Sequence, residues 1–105
     1  SKSFDTFCPL GPWIETEFEA SDAIITSHIN NSLKQMSSTR DMVFDPHQLV
    51  LYISTVMTLN PGDIILTGTP AGVSQIVDGD TVSVHIDGIG SLINPVQAEK
   101  RFIKE

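Results

Sequence analysis

The sequence predicts a mainly β domain of the α+β class carrying one substantial helix, and three local patterns lead to that expectation. Residues 81–87 alternate strictly, so Val82, Val84 and Ile86 share one face of a strand. Residues 24–35 are short apolar and β-branched residues split by Asn30-Asn31, which reads as a hairpin because Asn tolerates the left-handed conformation of a tight turn. Asp45-Pro46 has the form of an N-cap followed by proline at the first helical position. Behind it Leu49, Ile53, Val56 and Met57 recur at helical spacing with Tyr52 joining the stripe, which places a helix over residues 46–58. Its apolar face is broad and is expected to pack on the sheet.

The remaining elements follow from turn chemistry. Pro9, Gly11 and Pro12 forbid a helix through residues 1–17 and predict an extended loop. Asn60-Pro61-Gly62-Asp63 is a turn signal, and residues 64–67 read as a short strand behind it. Thr67-Gly68-Thr69-Pro70-Ala71-Gly72 is an irregular loop. A turn at Asp78-Gly79-Asp80 leads into the alternating strand, and residues 88–90 turn the chain into a last strand at 91–96. Pro95 would forfeit a ladder hydrogen bond in a central strand, so this one belongs at an edge or ends there. With no internal repeat, low-complexity tract or linker, the chain reads as one unit.

At 105 residues there is room for one domain. By size alone such a chain hides roughly 65% of its unfolded surface, enough for a core without disulfides or a structural metal. Thirteen carboxylates against six Lys and Arg leave a net charge of −7. That field repels polyanions, so neither nucleic acid nor an anionic membrane is an expected partner. The longest apolar run, residues 49–53, is too short to cross a bilayer, and no basic-then-apolar start reads as an export signal. The single Cys8 cannot form an internal disulfide and fits a reducing compartment, so the expected location is cytoplasmic. Lys2 has hardly any disposable polar stretch before it, which predicts a start inside a longer protein.

Taken by spacing alone, the chemistry is sparse. Lys2, Asp5, Thr6 and Cys8 cluster in the opening loop, where an ammonium beside a hydroxyl suits an anion or the water shell of a hard cation. A solvated terminus explains the same residues. The loop at 67–72 sets two hydroxyls and several backbone N–H groups after a predicted strand, where a carboxylate could be gripped, although an ordinary glycine turn has the same composition. It lacks the lysine of a phosphate-binding loop, which argues against nucleotides. His28, His47 and His85 have no carboxylate-and-nucleophile pattern around them in the sequence and read as surface residues. Asp45 is explained by capping, and Cys8, without a base nearby, by packing.

Two long segments carry more information. Lys2-Ser3-Phe4-Asp5-Thr6-Phe7-Cys8-Pro9-Leu10-Gly11-Pro12-Trp13 and Pro61-Gly62-Asp63-Ile64-Ile65-Leu66-Thr67-Gly68-Thr69-Pro70-Ala71-Gly72-Val73 resemble the fumarylacetoacetate hydrolase family, in particular its branch of hydroxyhepta-dienedioate isomerases and acylpyruvate hydrolases. Supporting matches lie at Met42-Val43-Phe44, Ile53-Ser54, Met57-Thr58-Leu59 and Gly79-Asp80-Thr81-Val82, so the resemblance runs from Lys2 to about Ala98. It implies a distorted β-roll and a site in which Mg²⁺ or Mn²⁺, held by carboxylates, chelates a small 2-oxo or 1,3-dicarbonyl acid and stabilises an enolate. Lys2 matches the family's active-site lysine, and Thr6 a position near the metal that acts through water or its main chain. Thr69 matches the threonine that hydrogen-bonds a substrate carboxylate, with Gly68 letting the backbone come close.

The same resemblance places the metal-ligating carboxylates, and the His and Glu that activate water in the hydrolases, N-terminal to the lysine motif. None of this chain's carboxylates matches them. Residues 1–105 are therefore expected to form the C-terminal part of a catalytic domain, with the missing N-terminal part as a partner and a homodimer as the expected assembly. At His28-Ile29-Asn30-Asn31, where many relatives read Val-Asn-Gly-Glu, only a changed hairpin tip is expected. The rival readings are an inactive remnant serving as a dimerisation module and a carboxylate-binding module without turnover.

Overall fold

The structure is a computed structural model, and it describes residues 6–98. Its framework is a four-stranded antiparallel sheet of β1 (Ile24–Ile29), β2 (Ser32–Ser38), β3 (Thr81–Ile86) and β4 (Gly90–Pro95), in the order β2-β1-β3-β4. A 3₁₀ turn (Thr39–Asp41) and one helix, α1 (Pro46–Val56), lie in the connection between β2 and β3. The architecture is the mainly β fold with one helix that the sequence predicts.

Local chemistry sets the elements where expected. Asn30 and Asn31 take φ values of 51° and 72°, the positive angles that a two-residue hairpin connection of type I′ demands. Asn30 also fastens this tip to the start of β3: its side chain donates to Asp80 Oδ1 at 2.7 Å and accepts from the Thr81 N–H at 2.8 Å. α1 begins with a reciprocal capping box, in which the Asp45 carboxylate accepts the Gln48 N–H at 2.8 Å and the Gln48 side chain accepts the Asp45 N–H at 2.9 Å. Pro95 sits on the outer strand β4, where a missing N–H breaks no inner ladder.

Paired residues of an antiparallel ladder share a face. One face therefore gathers Ile25 and Ile29 from β1, Val82, Val84 and Ile86 from β3, and Leu92 from β4. Residues 9–13 cover its β3–β4 end. Their Trp13 ring lies so close to Gly90 that a Cβ there would come within 3.2 Å of it. A bulge interrupts β2: Ser27 opposes Gln35 and His28 opposes Leu33, which leaves Lys34 with no residue opposite.

Three expectations are corrected. Residues 64–67 pair with no strand; the turn at 60–63 forms, closed by the Asp63 N–H to Asn60 O at 3.0 Å, but a short apolar run becomes a strand only beside a free sheet edge. α1 ends at Val56 and does not pack on the sheet: an open cavity lined also by residues 42–44 and 67–70 lies where they approach, and only Leu49 of α1 reaches it. No residue of α1 is buried. The core expected from chain length is also thin: among the described residues only Ala23 and Thr39 are buried. The Thr39 Oγ1 accepts the Ala23 N–H and the Thr39 N–H donates to Ala23 O, both at 2.8 Å. The chain exposes 8524 Å², where a compact protein of 11.4 kDa exposes about 5,800 Å². Its radius of gyration is 16.0 Å against about 13 Å for a compact chain of this length.

Candidate functional site

The loop 67–70 lies across the β1–β2 end of the sheet, beside the face whose other end residues 9–13 cover. Between loop and sheet is an open cavity of about 360 Å³ whose floor is Ile25 and Ser37 and whose sides come from Met42, Phe44 and Leu49. Thr67, Gly68 and Thr69 form its remaining wall, together with Asp41. The lining thus combines a few polar side chains with a larger apolar part.

Each wall residue has a local reason for its place. Gly68 adopts φ 97°, in the left-handed region, and the space where a Cβ would stand is empty. A ligand can therefore approach the backbone there. Thr69 is exposed; its Oγ1 accepts from Gln35 Nε2 at 2.8 Å, and the same Nε2 donates to Pro70 O at 3.1 Å. Asp41 closes a second capping arrangement, accepting the Ser38 N–H at 3.4 Å while Ser38 Oγ accepts from the Arg40 N–H at 3.1 Å.

The structure thus brings the predicted Gly68 and Thr69 to one cavity. Lys2 lies outside the described residues. Thr6, the first of them, is exposed with φ 67°, a conformation unusual for a β-branched residue. Cys8 is a half-buried free thiol.

Among the described residues no three His, Cys, Asp or Glu side chains come together in a way that could hold a metal ion, so these residues do not by themselves fit a divalent cation.

Two arrangements escaped the sequence. Gln35 is one; its signal would have been a polar residue on the strand face that also carries Ser37 and Ile25, which becomes visible only once the register is known. The other is at His85. The ring Nδ1 lies 2.9 Å from Ser91 Oγ and Nε2 lies 3.3 Å from Asp87 Oδ1, so a hydroxyl and a carboxylate do flank this histidine, contrary to the sequence reading. Its neighbours Thr26 and Ser91 share the sheet face opposite the cavity, and its side chain is 45% exposed, which fits a surface residue. His47 is also exposed and His28 is half-buried.

Comparison with known proteins identifies the family. A sequence pattern described as fumarylacetoacetate (FAA) hydrolase, C-terminal, matches residues 1–97. The 2-hydroxyhepta-2,4-diene-1,7-dioate isomerase of Mycobacterium marinum is 54% identical and superposes with a TM-score of 0.86 over 90% of this chain and 37% of its own. A maleylpyruvate hydrolase of Sphingobium sp. SYK-6, solved with manganese(II) and pyruvate, is 43% identical with a TM-score of 0.85, over 93% of this chain and 39% of its own. The 4-hydroxyphenylacetate degradation bifunctional isomerase/decarboxylase of Salmonella dublin is 41% identical over 94% of this chain and 24% of its length. The chain spans well under half the length of curated relatives that it matches, 37% of one mycobacterial protein and 42% of an archaeal one. From the hairpin through the glycine-rich loop to the edge strand, this is a chain of the fumarylacetoacetate hydrolase family, and it corresponds to that family's C-terminal region.

Proposed function

We propose that this chain forms one wall of the active site of a divalent-metal-dependent enzyme that acts on small 2-oxo or 1,3-dicarbonyl acids. The reaction is C–C bond hydrolysis, isomerisation or decarboxylation through an enolate. The observation that carries this reading is the placement of the Thr69 hydroxyl and the open backbone of Gly68 on one side of a cavity of about 360 Å³. Relatives named as isomerases, hydrolases and decarboxylases support it.

In this proposal Thr69 donates its O–H to the substrate carboxylate, a charge-assisted hydrogen bond that fixes which end of the acid lies deepest. Gly68 leaves room for that carboxylate beside the main chain. The Lys2 ammonium offsets negative charge growing on the substrate oxygen as the enolate forms. Thr6 lies near the metal, and the apolar side at Met42, Phe44 and Leu49 excludes water from the carbon skeleton.

The described residues supply no ligand set for the metal. The resemblance assigns the ligands to chain N-terminal of Lys2, so the proposal makes these 105 residues the C-terminal part of a catalytic domain whose other wall lies elsewhere in the protein. Mn²⁺ or Mg²⁺ is the metal this implies, and the manganese and pyruvate in the Sphingobium relative support it. The large exposed surface supports both that second wall and a homodimer. No described helix is long and apolar enough to cross a membrane; a cytoplasmic location is part of the proposal, resting on the single cysteine. Nothing favours the rival of an inactive remnant.

The full-length protein with Lys2→Ala tests the reading. Turnover of a 2-oxo acid such as oxaloacetate is expected to fall by about a hundredfold, the scale of losing one group that stabilises a developing oxyanion. Unchanged turnover in that variant would remove Lys2 from the site.

A further inference from the structure

We infer that Gln35 is a positioning residue of this site: its side-chain amide orients the Thr69 hydroxyl so that the hydrogen, and not a lone pair, is offered to the carboxylate of a 2-oxo acid. The inference rests on the reading of Thr69 as the carboxylate-binding hydroxyl. A threonine hydroxyl has one hydrogen and two lone pairs on a freely turning bond, and a carboxylate can use only the hydrogen. Gln35 Nε2 donates to Thr69 Oγ1 at 2.8 Å and to Pro70 O at 3.1 Å, so both of its hydrogens are spent on the loop. With a lone pair engaged by Gln35, the Thr69 hydrogen turns away from β2. Among the described residues no acceptor is seen for it. Thr69 lines the cavity and Gln35 does not, so Gln35 acts from behind the hydroxyl and touches no ligand itself.

The backbone comes close to the same loop at a second point. Lys34, unpaired at the bulge, presents its carbonyl to Gly72, where any Cβ would overlap that oxygen. The irregular point of β2 therefore meets the loop twice, at residues 69–70 through the hydrogen bonds of the Gln35 side chain and at residue 72 through the close approach of the Lys34 main chain. Bulges recur beside functional sites because they re-aim groups in this way.

A double-mutant cycle separates positioning from scaffolding, read as pyruvate affinity of the full-length protein by calorimetry with Mn²⁺ at a fixed saturating concentration. Thr69→Val is expected to weaken pyruvate binding about tenfold or more, the loss of a hydrogen bond to a charged group. Gln35→Leu should weaken it about fivefold, the scale of one neutral hydrogen bond, and Gln35→Met, which keeps the length and loses the donors, should match it. In the Thr69→Val background Gln35→Leu should cost less than about twofold further. If Thr69→Val binds pyruvate normally, the carboxylate reading itself fails and the role of Gln35 falls with it. If Thr69→Val weakens binding but Gln35→Leu and Gln35→Met do not, only the role of Gln35 is overturned. If Gln35→Leu costs as much with valine at position 69 as with threonine, Gln35 merely braces the loop and orients nothing.

Discussion

The sheet and the excursion between β2 and β3 are built from equally apolar sequence, yet they bury it very differently. In the sheet Ile25, Ile29, Val82, Val84 and Ile86 share one half-buried face that a loop partly roofs. In α1 the residues Leu51, Tyr52 and Val56 remain 65–69% exposed, and beyond it Ile64 and Leu66 are more than half exposed. Alternation places side chains on a face, and a ladder supplies backbone partners between neighbouring strands as it does so. A helix closes its backbone alone and leaves the burial of its stripe to whatever surface meets it. Here the strands β1 and β3 find backbone partners on both sides, whereas the helix and loop have completed their local chemistry and not their packing.

The sharpest way to break this comparison is to make the same substitution in both regions and measure urea denaturation of this chain. Val84→Asp, which sets an unpaired charge on the covered sheet face, is expected to cost about 3 kcal/mol or more. Leu51→Asp, on the open helix, should stay within about 0.5 kcal/mol. Equal losses would mean that the helix stripe is covered after all. A middle-sized effect is expected where the two regions join. Thr39→Val leaves the buried Ala23 N–H without its acceptor and should cost about 1–3 kcal/mol in the same denaturation experiment.

The smallest expected effect is electrostatic. The Ser21 hydroxyl donates to the Glu19 carboxylate at 2.8 Å and the Ser21 N–H at 3.1 Å, and together they hold that carboxyl below its ordinary value, with a minor contribution from His47. A depressed carboxyl stabilises the fold above its unfolded pKa and loses that contribution as pH falls through the lower folded value. Ser21→Ala should raise the Glu19 midpoint in an NMR titration, the hydroxyl being the larger cause; an unmoved midpoint would show that the backbone N–H suffices.

What the sequence made legible was what neighbouring residues decide among themselves. The Asn30-Asn31 turn, the Asp45 cap and the edge position of Pro95 each follow from the φ preference or donor count of a few adjacent residues. Gly68 and Thr69 were legible for a different reason, a long motif. What stayed hidden depends on pairing partners far along the chain. The bulge at Lys34 appears only when β1 and β2 are set side by side, and with it the grip of Gln35 on a loop 34 residues away. The strand expected at 64–67 and the packing expected of α1 failed alike, because apolar character says that a segment seeks cover and not where the cover is. His85, Asp87 and Ser91 meet through a β3–β4 register and the turn that closes it.

The contact of Asn30 with Asp80 and Thr81 has a topological meaning. It ties two points 50 and 51 residues apart, and everything that walls the cavity opposite the sheet floor, from Asp41 to Pro70, hangs between them like beads on a closed string. Once such a ring is shut at its neck, doubling its length costs only about 0.6 kcal/mol of closure entropy. Descendants of this chain are free to lengthen or redraw the wall of the cavity while the four strands keep their register, so that the floor stays fixed as its surroundings change.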